Sequence, residues 1–208
     1  MMNKKLNGLY VITDEKIYPG RKHSEIAEAA PKGGARIIQI RDKDASDRYF
    51  YEEALKIRNL CDKYNAIFIV NDRIHIAMAV NADGVNAGQR DLPCREIRRL
   101  LGKDKIIGIS ASDLNEAVEA EKEGADYIGF GPIFPTETKL DYECITGIET
   151  LQKVRDKVKI PIASIGGINQ SNIEKIKDIS DMICVVSCVV MSEDMEKTVS
   201  LLCDKCKK

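Results

Sequence analysis

The 208-residue chain has no tryptophan and only two histidines, His23 and His75. Histidine is the side chain that most readily exchanges protons near neutral pH, so few positions remain for chemistry built on it. His23 opens a helical stretch well after the first strand, and His75 lies one turn into another; surface or packing roles are expected for both. A Ser/His/Asp set and a nucleophile elbow are also missing. No apolar run approaches the ~20 residues of a membrane span. The formal net charge is -1, which supplies no global field for nucleic acid or an anionic membrane. Phosphate binding would therefore need a local pocket. Behind the basic residues Met1 to Lys5, the apolar stretch Leu6 to Thr13 is short and broken by Gly8. It does not read as a signal peptide, and a cytoplasmic protein is expected.

The seven cysteines are odd in number and scattered, which argues against a disulfide framework. Cys203 and Cys206 form one C-x-x-C with no further pair of ligands nearby, so two thiols at a helix end are expected rather than a zinc site. Cys184 and Cys188 read as packing residues.

What is present suits a water-soluble protein with a real core: 44% hydrophobic and 31% charged residues. Short apolar runs recur at Leu9–Thr13, Arg36–Ile40, Ile67–Val70, Gly84–Asn86, Ile106–Ile109, Tyr127–Phe130, Ile162–Ile165 and Met182–Val186. They are continuous rather than alternating, as strands covered on both faces are. Helical patterns lie between them. Ser46 to Tyr64 places Phe50, Ala54, Ile57, Leu60 and Cys61 on one stripe, and Ser112 to Glu123 places Leu114, Ala117, Val118 and Glu121 at helical spacing. Asp47, Ser112 and Asn169 stand where N-caps belong, Pro93 suits a first turn, and Gly33-Gly34, Gly102 and Gly124 suit helix stops. A faint echo, Gly34-Ala35-Arg36, Ala82-Asp83-Gly84 and Gly124-Ala125-Asp126, leads from helix ends into strands. Eight strand–helix units predict an α/β protein, a single-domain (β/α)8 TIM barrel over residues 1–208. A doubly wound sheet would carry a glycine-rich turn after its first strand, where this chain reads Thr13-Asp14-Glu15-Lys16.

In such a barrel the active site lies at the C-terminal ends of the strands. After the second strand, alternation points Gln39, Arg41 and Lys43 the same way, an arrangement suited to an anion. After the third comes Asn71-Asp72-Arg73, and after the fourth Gly88-Gln89-Arg90-Asp91. Asp72 and Asp91 reach the rim from adjacent strands, and Mg²⁺ favours one or two carboxylates with phosphate oxygens. Each aspartate has a rival reading as a helix cap. Ser110 follows the fifth strand. The loop after the sixth, Gly129 to Lys139, crowds Thr136, Thr138 and Lys139 behind two prolines and reads as a phosphate-handling loop. Gly166-Gly167 after the seventh strand and Val186-Ser187 after the eighth occupy the usual barrel phosphate site. Two phosphorylated ligands are suggested, one of them a metal-bound pyrophosphate.

Together these motifs resemble the thiamine-phosphate synthase family, from Leu9-Tyr10-Val11-Ile12-Thr13-Asp14 to about Ser187. The pieces are Gln39-x-Arg41-x-Lys43, Asn71-Asp72-Arg73, Gly88-Gln89-x-Asp91-Leu92, Gly108-Ile109-Ser110, Ile165-Gly166-Gly167-Ile168, Val186-Ser187 and, most specific, Gly131-Pro132-Ile133-Phe134-Pro135-Thr136-x-Thr138-Lys139. The resemblance implies a transferase that joins 4-amino-2-methyl-5-hydroxymethylpyrimidine diphosphate to 4-methyl-5-(β-hydroxyethyl)thiazole phosphate, releasing pyrophosphate. It implies catalytic roles for Arg41, Lys43, Lys139 and Ser110, and Mg²⁺ on Asp72 and Asp91. It implies substrate contacts from Gln39, Asn71, Thr136, Thr138, Gly167, Val186 and Ser187. Small-molecule substrates are the partners implied, with neither nucleic acid nor membrane; a homo-oligomer is left open. Asn86, Ala87, Ser112 and Cys188 depart from the family's pattern, which commonly has histidine at the first and often at the third of these positions. The changes touch the pocket wall more than the phosphate chemistry. Two rivals share the barrel. A thiazole tautomerase would need a histidine near the sixth loop, and none follows His75. A non-catalytic phosphate-binding barrel would have little reason to keep Arg41, Lys43, Asp72, Asp91 and Lys139 together.

Overall fold

The computed structural model describes residues 5–136 and 145–207. Eight parallel strands close into a barrel in chain order: β1 (Gly8–Thr13), β2 (Ile37–Ile40), β3 (Ile67–Asn71), β4 (Gly84–Ala87), β5 (Ile106–Ala111), β6 (Tyr127–Phe130), β7 (Ile162–Ser164) and β8 (Met182–Val185). The expected barrel is thus observed, and each predicted run overlaps its strand with ends that differ by at most two residues. Helices α1 (His23–Lys32), α2 (Asp47–Tyr64), α3 (Ile74–Ala79), α4 (Cys94–Leu101), α5 (Leu114–Lys122), α6 (Gly147–Lys157), α7 (Ser187–Val190) and α8 (Met195–Cys206) lie between and after the strands. No helix among the described residues is long and apolar enough to cross a membrane.

The continuous apolar runs divide by alternation. Tyr10, Ile12, Ile37, Ile67, Ile69, Tyr127, Ala163, Met182 and Cys184 fill the barrel interior as one cluster. Their strand neighbours, among them Leu9, Val11, Ile38, Phe68, Val70, Val85 and Ile128, pack outward against the helices. A barrel of this size is filled by side chains, so its floor is a packed layer and the open space lies only at the strand ends.

Helix boundaries differ from expectation by small steps with physical causes. Ser46, not Asp47, caps α2, its hydroxyl accepting from Tyr49 N at 3.3 Å. Asp47 is the first helical residue, where a carboxylate meets the positive end of the helix. Asp113, not Ser112, caps α5, accepting from Glu116 N at 2.8 Å. Along α5 the buried stripe is Ala117 and Ala120, while Val118 is exposed. Between β7 and β8 there is only a 3₁₀ turn, Ile173–Lys175. Asn169 accepts from Ser171 N at 2.9 Å and gives its own N–H to Asn172 Oδ1 at 2.9 Å, side-chain bonds that compete with a regular helix. Cys203 and Cys206 end α8, where burial pushes their thiols up to about 11 and about 12. Both stay protonated near neutral pH, and no group of three His, Cys, Asp or Glu suited to a metal occurs among the described residues.

The echo in the sequence has a structural meaning at the end of the barrel opposite the expected site. Asp83, just before β4, accepts from Phe68 N at 2.7 Å and pairs with Arg58 of α2 at 2.9 Å. Asp126, before β6, accepts from Ile107 N at 2.7 Å and pairs with Arg98 of α4 at 2.6 Å. Asp181, before β8, accepts from Ile162 N at 2.9 Å and pairs with Arg155 of α6 at 2.8 Å. Every second strand start is thus stapled to the strand before it and to a helix. Because Arg58 is almost buried but also pairs with Asp62 at 2.7 Å, Asp83→Ala should cost about 2 kcal/mol, the scale of a lost hydrogen bond to a charged group. Denaturant unfolding would measure it. The rate of the folded fraction should change less than about twofold, since the staples stand away from the chemistry.

Candidate active site

The C-terminal ends of the strands gather the predicted residues on one rim. Gln39 lies in β2, 3% exposed, and points into the barrel. Its Nε2 donates to Tyr10 Oη at 2.5 Å, and Tyr10 Oη is 3.0 Å from Tyr127 Oη. Tyr127 Oη donates to Asn86 Oδ1 at 3.0 Å, and Asn86 Nδ2 donates to Ser110 Oγ at 3.1 Å. Tyr127 spends its one proton on Asn86, so the proton between the two phenols belongs to Tyr10. The chain therefore runs in one direction, Gln39 to Tyr10 to Tyr127 to Asn86 to Ser110. Ser110 enters it as an acceptor and keeps its own proton to give away. Burial holds both phenols far above their ordinary range, so they remain neutral donors. Gly108 makes room for this relay: a Cβ there would fall 2.0 Å from Tyr127 Cζ.

The cations stand beside Gln39. Arg41 is half-buried, with Nη1 3.5 Å from Asp14 Oδ2, and Lys43 is exposed. Between them Asp42 folds back, its Oδ1 accepting from the N–H groups of Asp44 and Ala45 at 2.9 and 3.0 Å. Arg73 does not face the cavity. It donates to the carbonyls of Asp42 and Ala45 at 3.1 and 2.6 Å, pairs with Asp47 at 2.8 Å and lies over the Phe50 ring. It braces the loop that carries the two cations.

Asn71 ends β3, nearly buried. Asp72 follows with φ 58°, a left-handed backbone that aspartate tolerates better than most residues. It therefore does not cap α3, whose flanking residue is Arg73. Asp91 accepts from Gly88 N at 2.7 Å and so closes its own four-residue turn rather than capping α4, which Pro93 precedes. The two carboxylates face each other. Burial, then the charge and hydrogen bond of Asp91, push the Asp72 carboxyl up to about 6, while Lys43 and Arg41 pull it back. Two carboxylates crowded beside two cations fit a divalent ion: an oxygen pair is present, and the proton shared there marks where positive charge is wanted.

Across the rim, loop six lies on loop seven. Ile133 N donates to Ile165 O at 2.9 Å and Phe134 N to Gly166 O at 3.1 Å, with a cis peptide at Gly131–Pro132. Cβ atoms on Gly166 or Gly167 would meet Pro132 at 2.4 Å or the Pro135 carbonyl at 2.2 Å, and both have positive φ. The Gly-Gly pair is thus required by the packing of loop six, beyond any approach to phosphate. Gly167 O accepts from Asn172 Nδ2 at 2.9 Å. Thr136 is half-buried at the edge of this platform, and Val186 and Ser187 open the short α7 beside it. Thr138 and Lys139 lie outside the described residues.

Sequence reasoning did not find Tyr10, Tyr127 and Asn86 as site residues. Their signal was present as polar tips on inward strand positions, which a filled barrel tolerates only when each tip is bonded. Asp91→Asn should lower the Asp72 pKa part of the way from about 6 toward the ordinary carboxylate value, because burial persists while the neighbouring charge goes. A carboxyl-carbon NMR titration would show it; an unchanged midpoint would separate the two groups.

The chain is similar to known proteins along nearly its whole length. The family described as thiamine monophosphate synthase matches residues 9–189. A thiamine-phosphate synthase of Clostridium tetani is 46% identical over 199 residues, 95% of either chain. One of Shouchella clausii is 46% identical over 189 residues, 90% of either chain. The structure of a thiamine phosphate pyrophosphorylase from Pyrococcus furiosus superposes with a TM-score of 0.88 at 40% identity, covering 98% of this chain and 96% of that one.

Proposed function

From the premise that the chain belongs to the thiamine-phosphate synthase family and is a transferase of thiamine biosynthesis, we propose how its rim carries out the condensation. The substrates are 4-amino-2-methyl-5-hydroxymethylpyrimidine diphosphate and 4-methyl-5-(β-hydroxyethyl)thiazole phosphate, and the products thiamine phosphate and pyrophosphate. The reaction runs in the cytoplasm. The single observation that carries the reading is the juxtaposition of Arg41 and Lys43 with the Asp72–Asp91 pair above the directional relay ending on Ser110.

Departure of pyrophosphate from the pyrimidine methylene leaves a cation on carbon and negative charge on the leaving oxygens. Preorganised donors aimed at those oxygens lower the barrier. Arg41, Lys43 and Lys139 supply positive charge, and Ser110 and Thr138 supply hydroxyl donors. Gln39 and Asn71 orient the pyrimidine and its diphosphate from the barrel mouth. The thiazole nitrogen is already a nucleophile and traps the cation without a general base. This agrees with the surroundings of the two histidines: His23 is fully buried beneath the rim loops, and His75 is exposed and paired with Asp47. Thr136, Gly167, Val186 and Ser187 receive the thiazole phosphate on the platform of loops six to eight. Asp72 and Asp91 would hold Mg²⁺, which when bound neutralises the diphosphate and its leaving charge.

The test is a coupling assay with both substrates and Mg²⁺, thiamine phosphate being read as fluorescent thiochrome. Product that disappears with EDTA is expected; a folded protein that makes none would overturn the assignment. Arg41→Ala and Lys139→Ala should each lower the rate by about 100-fold or more, the scale of one lost transition-state contact. Near-normal turnover in both would remove the pyrophosphate from this rim. As pH falls through about 6, a proton on Asp72 competes with the metal, so half-activity should need more Mg²⁺ and saturating Mg²⁺ should restore the rate. Asp91→Asn should raise that requirement at any pH. An Mg²⁺ requirement independent of pH and of Asp91 would leave these carboxylates as turn-formers only.

A further inference from the structure

One buried group near the rim has no part in this chemistry. His23, the first residue of α1, is completely buried. Its Nδ1 lies 2.7 Å from Thr13 Oγ1 at the end of β1. Its Nε2 is buried without a hydrogen-bond partner, facing Glu15 Oε1 at 3.8 Å and Asp42 Oδ2 at 3.7 Å. A buried polar atom without a partner is uncommon and asks for a reason. The two carboxylates decide which nitrogen bears the proton. A lone pair on Nε2 would point at negative oxygens, whereas an N–H is drawn to both. The Thr13 hydroxyl can then donate to Nδ1.

Both carboxylates are also held by other donors. Glu15 accepts from His23 N at 2.7 Å and from Tyr49 Oη at 2.8 and 2.9 Å. Asp42 uses Oδ1 for the N–H groups of Asp44 and Ala45, which leaves Oδ2 toward His23. Asp42 sits between Arg41 and Lys43 in sequence, and Asp14 already stands 3.5 Å from Arg41. An Asp42 released from the imidazole would be a second carboxylate competing with a phosphate for these cations.

We propose that His23 is a positioning residue of this active site: an imidazole bearing a proton on Nε2 that spans the first and second loops and keeps Glu15 and Asp42 turned away from Arg41 and Lys43. The role rests on the reading that these two cations meet the pyrophosphate. It acts through the loop and touches no substrate.

Two measurements test it on the full chain. With only two histidines, a long-range ¹H–¹⁵N spectrum of the labelled protein, assigned with His75→Asn, reports the tautomer directly. A pyrrole-type Nε2 is expected, and a pyridine-type Nε2 would overturn the proposal even if no variant folds. The second measurement is calorimetric binding of magnesium pyrophosphate together with steady-state kinetics. His23→Leu should weaken pyrophosphate binding and raise KM for the pyrimidine diphosphate by about tenfold, about 1.4 kcal/mol. KM for the thiazole phosphate should move less than about twofold, and His23→Gln, which returns an N–H, should recover most of the loss. Equal losses on both substrates, or a glutamine no better than leucine, would reduce His23 to packing. Wild-type protein that binds no magnesium pyrophosphate would sink the proposed function itself. Wild type and His23→Leu binding it equally well would sink only the role of His23.

Discussion

Closure of the sheet leaves each polar group on a strand two choices: to be bonded inside the barrel or to emerge at one of its ends. Everything else in this molecule follows from that division. At the lower end the polar groups are aspartates that staple strand starts to arginines of α2, α4 and α6. At the upper end they are the cations and carboxylates of the rim. In between, the interior admits two tyrosines only because their hydroxyls join the relay from Gln39 to Ser110. The same relay orients the residues at both of its ends, so the filler of the barrel is also the floor of the site.

The rim is a problem in charge placement. On the proposed reading, Arg41 and Lys43 need anionic neighbours when no phosphate is bound, yet those neighbours must not outcompete one. Asp72 and Asp91 meet this by crowding each other: their mutual repulsion and burial raise the Asp72 carboxyl instead of letting both ionise fully against the cations. Glu15 and Asp42 meet it by being tied elsewhere, to Tyr49 and to the N–H groups of Asp44 and Ala45, while Asp14, bonded through Oδ1 to Lys16 N, keeps Oδ2 3.5 Å from Arg41.

The strands were legible because burial on both faces makes each one a continuous apolar run, and the barrel was legible because eight such runs alternate with helical stripes. The rim motifs were legible because in a closed parallel barrel the residues just after each strand meet at one end. Helix caps were read one residue off at Asp47 and Ser112, where Ser46 and Asp113 offered equally good cap chemistry and only backbone angles separate the candidates. The relay was not legible. Tyr10 and Tyr127 lie 117 positions apart and become partners only when β1 and β6 face across a closed barrel. Asn86 looked like a departure in the pocket wall, and its two-sided amide, accepting from Tyr127 and donating to Ser110, shows its use only beside those neighbours.

The glycines of loop seven show how one residue type can serve two demands that sequence cannot separate. A Gly-Gly at this place reads as backbone bared for a phosphate, and that reading needs only the absence of a side chain. The structure adds a stricter condition, because the Pro132–Pro135 stretch occupies the space where both Cβ atoms would stand. Loop six is hydrogen-bonded to the carbonyls of Ile165 and Gly166, so displacing it would also move Thr136. Any side chain at Gly166 or Gly167 would therefore disturb the loop-six end and the loop-seven end of the platform together. On the proposed assignment the two phosphate cups are thereby coupled through packing, since Thr136 belongs to one and Thr138 and Lys139, close behind it in sequence, to the other.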